Sequence, residues 1–202
     1  MDLNALYNLK TKYNFNPISI LDIGANNGYF ADMCKSVWTY TAIFLIEANP
    51  EWENTLKSKN YDYLISLLGT ESGYDVAFYR DKNDKTSTGC SIYKELSHFF
   101  NSAEEIKLPM NKLDDVVEGS FDFIKMDTQG SELDIIKGGL DTISKCKYLL
   151  LEVSLINTNE NAPLKYDIIN YLKTIQFEEV DVLFNHYDKG ILTQQDVLFK
   201  HI

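Results

Sequence analysis

Short runs rich in isoleucine and leucine recur along the chain, and between them lie stretches whose apolar residues return every three or four positions. Runs of that length read as buried strands, and the helical period reads as helices that pack by one face. The first helix is predicted over residues 2–13 from Leu3, Leu6, Tyr7 and Leu9, lying over one edge of the sheet, with Pro17 closing it before the first strand. That strand, within the stretch ISILDIGANNGYF, ends at Asp22 and meets Gly24 and Gly28, after which Phe30, Met33, Cys34 and Val37 share one helical face. Residues 42–46 make a second strand that delivers Glu47 at its tip, 25 residues after Asp22, the length of one strand–helix–strand step. A helix restarts over residues 50–56, and residues 63–68 read as a third strand that leaves at Leu68 and Gly69.

The pattern then changes. Residues 74–80 alternate Val76, Phe78 and Arg80 against Ala77 and Tyr79, as in a strand with one wet face, and no helix follows. The polar stretch DKNDKTSTGCS reads as a loop able to fold over a substrate, with disorder as the compositional alternative. Residues 108–117 add an extended piece and the LDDVV step, so residues 74–117 are read as an inserted strand and loop section on the substrate side. The main pattern resumes with a fourth strand over 121–126, ending in Asp127, and Ser131 is placed to cap a helix whose face runs Leu133, Ile136, Leu140 and Ile143. A fifth strand, KYLLLEV, carries Glu152 near its carboxyl end. Pro163 opens a last helix, and residues 177–184 and 195–201 are two strands joined through 185–193 as an antiparallel hairpin. Strands alternating with helices in this order predict a single α/β domain over residues 1–202, with residues 1–17 as a helical extension.

Composition narrows the function. A chain of 202 residues with 45% hydrophobic content can bury a full sheet between helix layers. Its net charge of −11 argues against nucleic acid as a partner, which would ask for a basic face. Cys34, Cys90 and Cys146 are isolated and lack the close pairs of a zinc or redox site. No apolar run approaches the roughly 18 residues of a membrane span, and no signal-peptide stretch opens the chain, so a cytoplasmic protein is expected.

The glycine turn after Asp22 decides between ligands. A dinucleotide fingerprint needs glycine where Asn26 and Tyr29 stand. The acid-x-Gly-x-x-x-Gly turn of Asp22, Gly24 and Gly28 instead resembles the first motif of class I S-adenosylmethionine-dependent methyltransferases. Glu47 at a strand tip suits ribose hydroxyls, with a solvated carboxylate as the plainer alternative. With LDIGANNGYF, IEANP, LDDVV, DFIKMDTQGSELDIIKGG and LLLEV in order, residues 18–153 resemble an FkbM-type methyltransferase. The resemblance implies a Rossmann-like, mostly parallel seven-stranded sheet with the last strand antiparallel. It also implies S-adenosylmethionine as cofactor and O-methylation of a sugar, glycan or other small metabolite. On it, the cofactor would be held by Asp22, Gly24, Ala25, Asn26, Gly28, Tyr29, Phe30, Glu47, Ala48, Leu68, Gly69 and Asp127. One departure matters: relatives commonly carry Glu where Gln129 stands, which motivates a competing reading as a non-catalytic cofactor-binding module. A nucleotide-dependent reductase is the third reading.

A hydroxyl acceptor has a proton to lose. Asp127 is the first candidate to take it or to orient the acceptor, the alternative being that Asp127 merely caps the following turn. His98 is the next candidate base, and Glu152 could bind acceptor hydroxyls or, with Asp127, a divalent ion. Two carboxylates, Asp127 and Glu152, do not make a metal site, so no metal is expected.

Overall fold

The computed structural model describes residues 2–96 and 102–202. Helix α1 (Leu3–Lys12) is capped by Asp2, whose carboxylate accepts from the Ala5 N–H at 3.0 Å. It is followed by β1 (Ser19–Ile23), α2 (Tyr29–Val37), β2 (Ala42–Glu47), a 3-10 turn (Pro50–Trp52), α3 (Glu53–Ser58) and β3 (Asp62–Ile65). The middle of the chain adds β4 (Leu67–Leu68), β5 (Tyr74–Asp81), β6 (Ala103–Asn111) and the single-turn α4 (Leu113–Val116). Then come β7 (Phe123–Met126), α5 (Glu132–Gly138), α6 (Leu140–Ile143), β8 (Tyr148–Ser154), α7 (Lys165–Thr174), β9 (Phe177–Asp188) and β10 (Ile191–His201).

Seven strands form one sheet in the order β3-β2-β1-β7-β8-β10-β9, in which β10 runs antiparallel to both its neighbours and the other strands share one direction. This is the mostly parallel seven-stranded sheet with its last strand antiparallel that the resemblance implied. Both faces of its central strands are covered, which is why those strands read as continuous apolar runs. Leu21, Ile23, Leu149, Leu151 and Val153 face the layer of α5, α6 and α7, while Ile20, Phe123, Tyr148 and Leu150 face that of α1, α2 and α3. Strand order reverses between β1 and β7, and the register Ile23↔Ile46 and Ile23↔Met126 brings three strand tips level at that point. Open α/β sheets bind ligands outside the carboxyl ends at such a reversal.

Helix α1 lies over the β9 edge of the sheet, as expected: Lys12 Nζ donates to Asp181 Oδ2 at 2.6 Å, and Leu6 and Leu9 are fully buried in a cluster that includes Val180, Leu183 and residues of α2. The fold departs from the sequence reading in four places. The run 63–68 is two strands, because after Ser66 the chain leaves the main sheet and Leu67 and Leu68 pair with Met110 and Asn111. That pairing builds a second sheet, β4-β6-β5, from the inserted section, and LDDVV is a helical turn that packs against α5 and α6. The helix after Ser131 breaks in two at Gly138 and Gly139, where a Cβ on Gly138 would stand 2.0 Å from the Gly69 carbonyl oxygen. Finally, residues 185–193 are mostly strand: β9 and β10 continue to a two-residue turn at Lys189 (φ 48°) and Gly190 (φ 81°).

Candidate functional site

A cleft of about 390 Å³ runs along the carboxyl ends of β1, β2, β7 and β8, within the range that holds a small-molecule ligand. Its first wall is built by the glycine turn. Gly24 (φ +75°) passes so close to β7 that a Cβ there would stand 2.0 Å from the Asp127 carbonyl oxygen. The Gly24 and Ala25 N–H groups donate to the Ile46 carbonyl at 2.9 and 3.0 Å, tying the turn to β2. Glu47 then clamps both sides: its Oε2 accepts from the Asn26 N–H at 2.7 Å and its Oε1 from the Asn49 N–H at 2.8 Å. Burial pushes the Glu47 carboxyl above the ordinary range, and those two N–H groups oppose the shift.

Beyond Glu47 and Ala48, the side chains of Ile46, Leu67, Leu68, Phe78 and Ile135 make an apolar slot. The loop 81–91 is ordered and closes over it. Asn49 Nδ2 donates to the Lys85 carbonyl at 2.6 Å, Ser91 bridges to Tyr79, and Ser91 Oγ donates to the Thr128 carbonyl at 3.2 Å. A smaller cavity of about 220 Å³ continues past Ala25, Asn26, Tyr29 and Phe30 to Asp127 and Glu152. Three residues of the expected cofactor set do not line either space. Asp22 is enclosed beneath the turn, Gly69 backs onto the Met110 side chain, and the Cβ direction of Gly28 points at the Lys59 side chain.

The charged wall starts from a pair set by strand register, Asp22 beside Lys125. Lys125 Nζ lies 3.3 Å from Asp22 Oδ1 and 3.5 Å from Asp127 Oδ2, donates to the Gly24 carbonyl at 3.3 Å and sits over the Phe30 ring. Burial alone would lower the Lys125 ammonium, but Asp22 and Asp127 outweigh it and hold the group above its ordinary value. Burial raises the Asp22 carboxyl, with Lys125 pulling the other way. A lysine inside the apolar run FDFIKMD was the visible signal for this pair, and the sequence reading did not use it.

Asp127 does not cap the turn that follows it through the Thr128 and Gly130 N–H groups. Those donate to Glu132, whose buried carboxyl is pushed up to about 7 by desolvation against the bonds it accepts. Ser131 likewise provides no side-chain cap, its Oγ donating to the Thr128 carbonyl instead. Asp127 is left facing the cleft, where Gln129 (φ +54°) joins it to Glu152: Nε2 donates to Asp127 Oδ1 at 2.9 Å and to Glu152 Oε1 at 2.8 Å. Gln194 Nε2 also donates to Glu152 Oε1, at 3.0 Å. Glu152 Oε2 lies 3.3 Å from His186 Nε2, which is 3.1 Å from Asp196 Oδ1. Burial, then Asp127 and Asp196, hold the Glu152 carboxyl well above the usual carboxylate range. His186, Gln194 and Asp196 were not among the expected site residues, because the first two fall in or beside the stretch read as a connection. His98 lies outside the described residues.

The donors and acceptors present fit S-adenosylmethionine. A strand-tip carboxylate at Glu47 would hold ribose hydroxyls, the apolar slot beside it would take a flat base, and the acidic wall would suit a sulfonium cation. The fold has known counterparts. A methyltransferase FkbM from Methylobacillus flagellatus superposes with a TM-score of 0.59 at 18% identity, covering 96% of this chain; the chain spans about half of that protein's length, 47%. A S-adenosylmethionine-dependent methyltransferase from Clostridium acetobutylicum gives a TM-score of 0.58 at 11% identity over 98% of this chain and 90% of the other. A putative RNA methyltransferase from Pyrococcus horikoshii gives 0.57 at 8% identity over 98% and 80%. At these identities the likeness speaks to fold alone. Among curated proteins no match is found. The methyltransferase FkbM domain model matches residues 22–187, from the acid of the glycine turn to the end of β9, so this chain belongs to the FkbM methyltransferase family and its cofactor is S-adenosylmethionine.

Proposed function

We propose that the chain methylates a hydroxyl of a sugar, glycan or other small metabolite. The observation that carries this reading is the Asp127–Gln129–Glu152 bridge, which sets two carboxylates where the nucleoside part of the cleft meets the end of β8 and the start of β10. The cofactor, when bound, supplies an already reactive methyl group on a sulfonium, so the chain's task is to position the acceptor and take its proton. Asp127 is fixed from both sides, by Lys125 and by Gln129, and still reaches the cleft; it orients the acceptor hydroxyl and accepts its proton. Glu152, nine-tenths buried, positions the acceptor from the opposite side.

The acidic lining supports a neutral polyol over a phosphorylated or polyanionic acceptor. Lys125, the cation lining the smaller cavity, is already engaged by Asp22 and Asp127. The three free thiols suit a reducing compartment, and the cytoplasm is the proposed setting. Among the described residues no helix is long and apolar enough to cross a membrane. Gln129, the feature that motivated a non-catalytic module, has a role in the bridge that an ionised carboxylate could not fill, since it donates to two acceptors at once.

The test is single-turnover transfer from labelled S-adenosylmethionine to a panel of sugars and hydroxylated metabolites, alongside amines and thiols. Singly methylated hydroxyl products support the reading. Transfer to amine or thiol acceptors alone, or tight S-adenosylhomocysteine binding with no transfer at all, overturns it.

A further inference from the structure

We propose that Glu152, His186 and Asp196 form a binding site for a divalent cation at the acceptor end of the cleft. Counting only Asp127 and Glu152 gave no reason to expect a metal; the fold adds an imidazole and a third carboxylate. One ligand atom from each of the three residues lies within 4.8 Å of the others, and the imidazole Nε2 stands 3.1 and 3.3 Å from the two carboxylates. Ligands bound at about 2.1 Å in adjacent octahedral positions are about 3 Å apart, so the three atoms can close on one ion with small movements.

Three further features favour a cation. Glu152 and Asp196 are directly opposed partners on β8 and β10, and both side chains are about nine-tenths buried. Like charges placed opposite on neighbouring strands repel, and Asp127 adds a third carboxylate through the Gln129 bridge. The second feature is how Glu152 is held: the Gln129 and Gln194 amides both donate to Oε1, which turns Oε2 towards His186. Such outer contacts are how metal sites orient a ligating carboxylate. The third is access. Glu152 and His186 line both cavities and Asp196 lines the smaller, so the cluster is reachable from the space where an acceptor would sit. One nitrogen and two carboxylates suit magnesium, manganese, iron(II) or zinc. Resting on the proposed hydroxyl transfer, the ion's place there would let it hold an acceptor oxygen.

Mn²⁺ is the probe, titrated into the full chain and followed by the loss of the free-ion EPR signal. One equivalent is expected to bind. Affinity should fall at least tenfold in His186→Gln and in Asp196→Asn, and stay unchanged in Glu105→Gln, an exposed carboxylate on β6. Pulsed EPR of the bound ion should show one imidazole nitrogen, lost in His186→Gln, and that spectrum of the natural chain decides the question if a variant fails to fold. No saturable binding up to about 1 mM, the weak end of protein calcium sites, overturns the inference, as does binding without nitrogen coupling. S-adenosylhomocysteine is titrated in parallel. Cofactor binding without Mn²⁺ binding removes the cation site alone, whereas Mn²⁺ binding without cofactor binding leaves the site standing and removes the functional reading.

Discussion

Replacing Gln129 by Glu should destabilise the protein at neutral pH and do so less and less as the pH falls. The Gln129 amide donates to Asp127 Oδ1 and Glu152 Oε1, at 2.9 and 2.8 Å. Glutamate at the same place has no donor when ionised and puts a third carboxyl group against two. Carboxylates about 4 Å apart repel by about 4 kcal/mol at an effective dielectric of 20, so the ionised form is not the one that survives. The variant takes up a proton instead. Relative to an unperturbed Glu near 4.3, that uptake costs about 1.4 kcal/mol per pH unit, or roughly 3.7 kcal/mol at pH 7. A protonated Glu can donate to one of the two acceptors, so about 1 kcal/mol more goes with the second bond.

The expected loss is therefore about 4–5 kcal/mol at pH 7, falling to about 2 near pH 5. The sign follows from linkage. The new carboxyl has its folded-state pKa raised above the unfolded value, so the deficit is fully developed above the folded pKa and fades as pH drops towards about 4.3. Urea denaturation of both proteins between pH 5 and 8 measures it, because titrations common to the two largely cancel in the difference. A loss independent of pH would refute the reasoning, since it would mean that the side chain never meets the two carboxylates. If the cation site is real, Mn²⁺ should also reduce the deficit.

The other predictions address single residues. Glu47→Gln should weaken S-adenosylhomocysteine binding by about 1–3 kcal/mol in calorimetry, because the new NH₂ must face the Asn26 or the Asn49 N–H; unchanged affinity would place the ribose elsewhere. Lys125→Met should cost about 3–5 kcal/mol in urea denaturation by stranding the enclosed Asp22 carboxylate, and adding Asp22→Asn should recover much of it. Asp127→Asn should lower single-turnover methyl transfer by about 10²–10⁴-fold with cofactor affinity nearly constant, and a wild-type rate across pH would move the base to His98 or His186. Gly28→Ala should cost about 1–2 kcal/mol in stability from its positive φ and leave cofactor affinity in place, whereas Gly24→Ala, aimed at the Asp127 carbonyl, should not yield folded protein; loss of binding by a stable Gly28→Ala would contradict this.

Half of this site was legible because parallel strands announce their ends. The stretch 43–46 of β2 reads as a continuous apolar run, and the acids that follow such strands, Glu47 after it and Asp127 after β7, arrive at the cleft by construction. Two kinds of information were missing. Sheet order depends on contacts far apart in sequence, so nothing local showed that the chain would leave the main sheet at Ser66 to pair Leu67 with Met110. Side-chain partnership was hidden too: Gln129 looked like a lost carboxylate and is a donor between two.

The other half was missed for a reason of direction. Strand β9 is the sheet's edge, exposed enough along Glu178–Asp188 that its polar residues blur the two-residue period, so Asn185, His186 and Asp188 read as a connection. The turn itself was marked, since Lys189-Gly190 is a pair that a tight hairpin accepts. Because β10 runs antiparallel to β8, its early residues lie beside the late residues of β8, as the register Gln194↔Ser154 and Asp196↔Glu152 shows. A search for polar residues at strand carboxyl ends finds Glu152 and passes over Gln194 and Asp196, which sit near the amino end of their strand. In this sheet the cleft wall beyond Asp127 is completed by the start of the one reversed strand and the end of the edge strand paired to it. Polar pairs flanking the final hairpin turn are therefore where a sequence reading of this fold should look for the second half of the site.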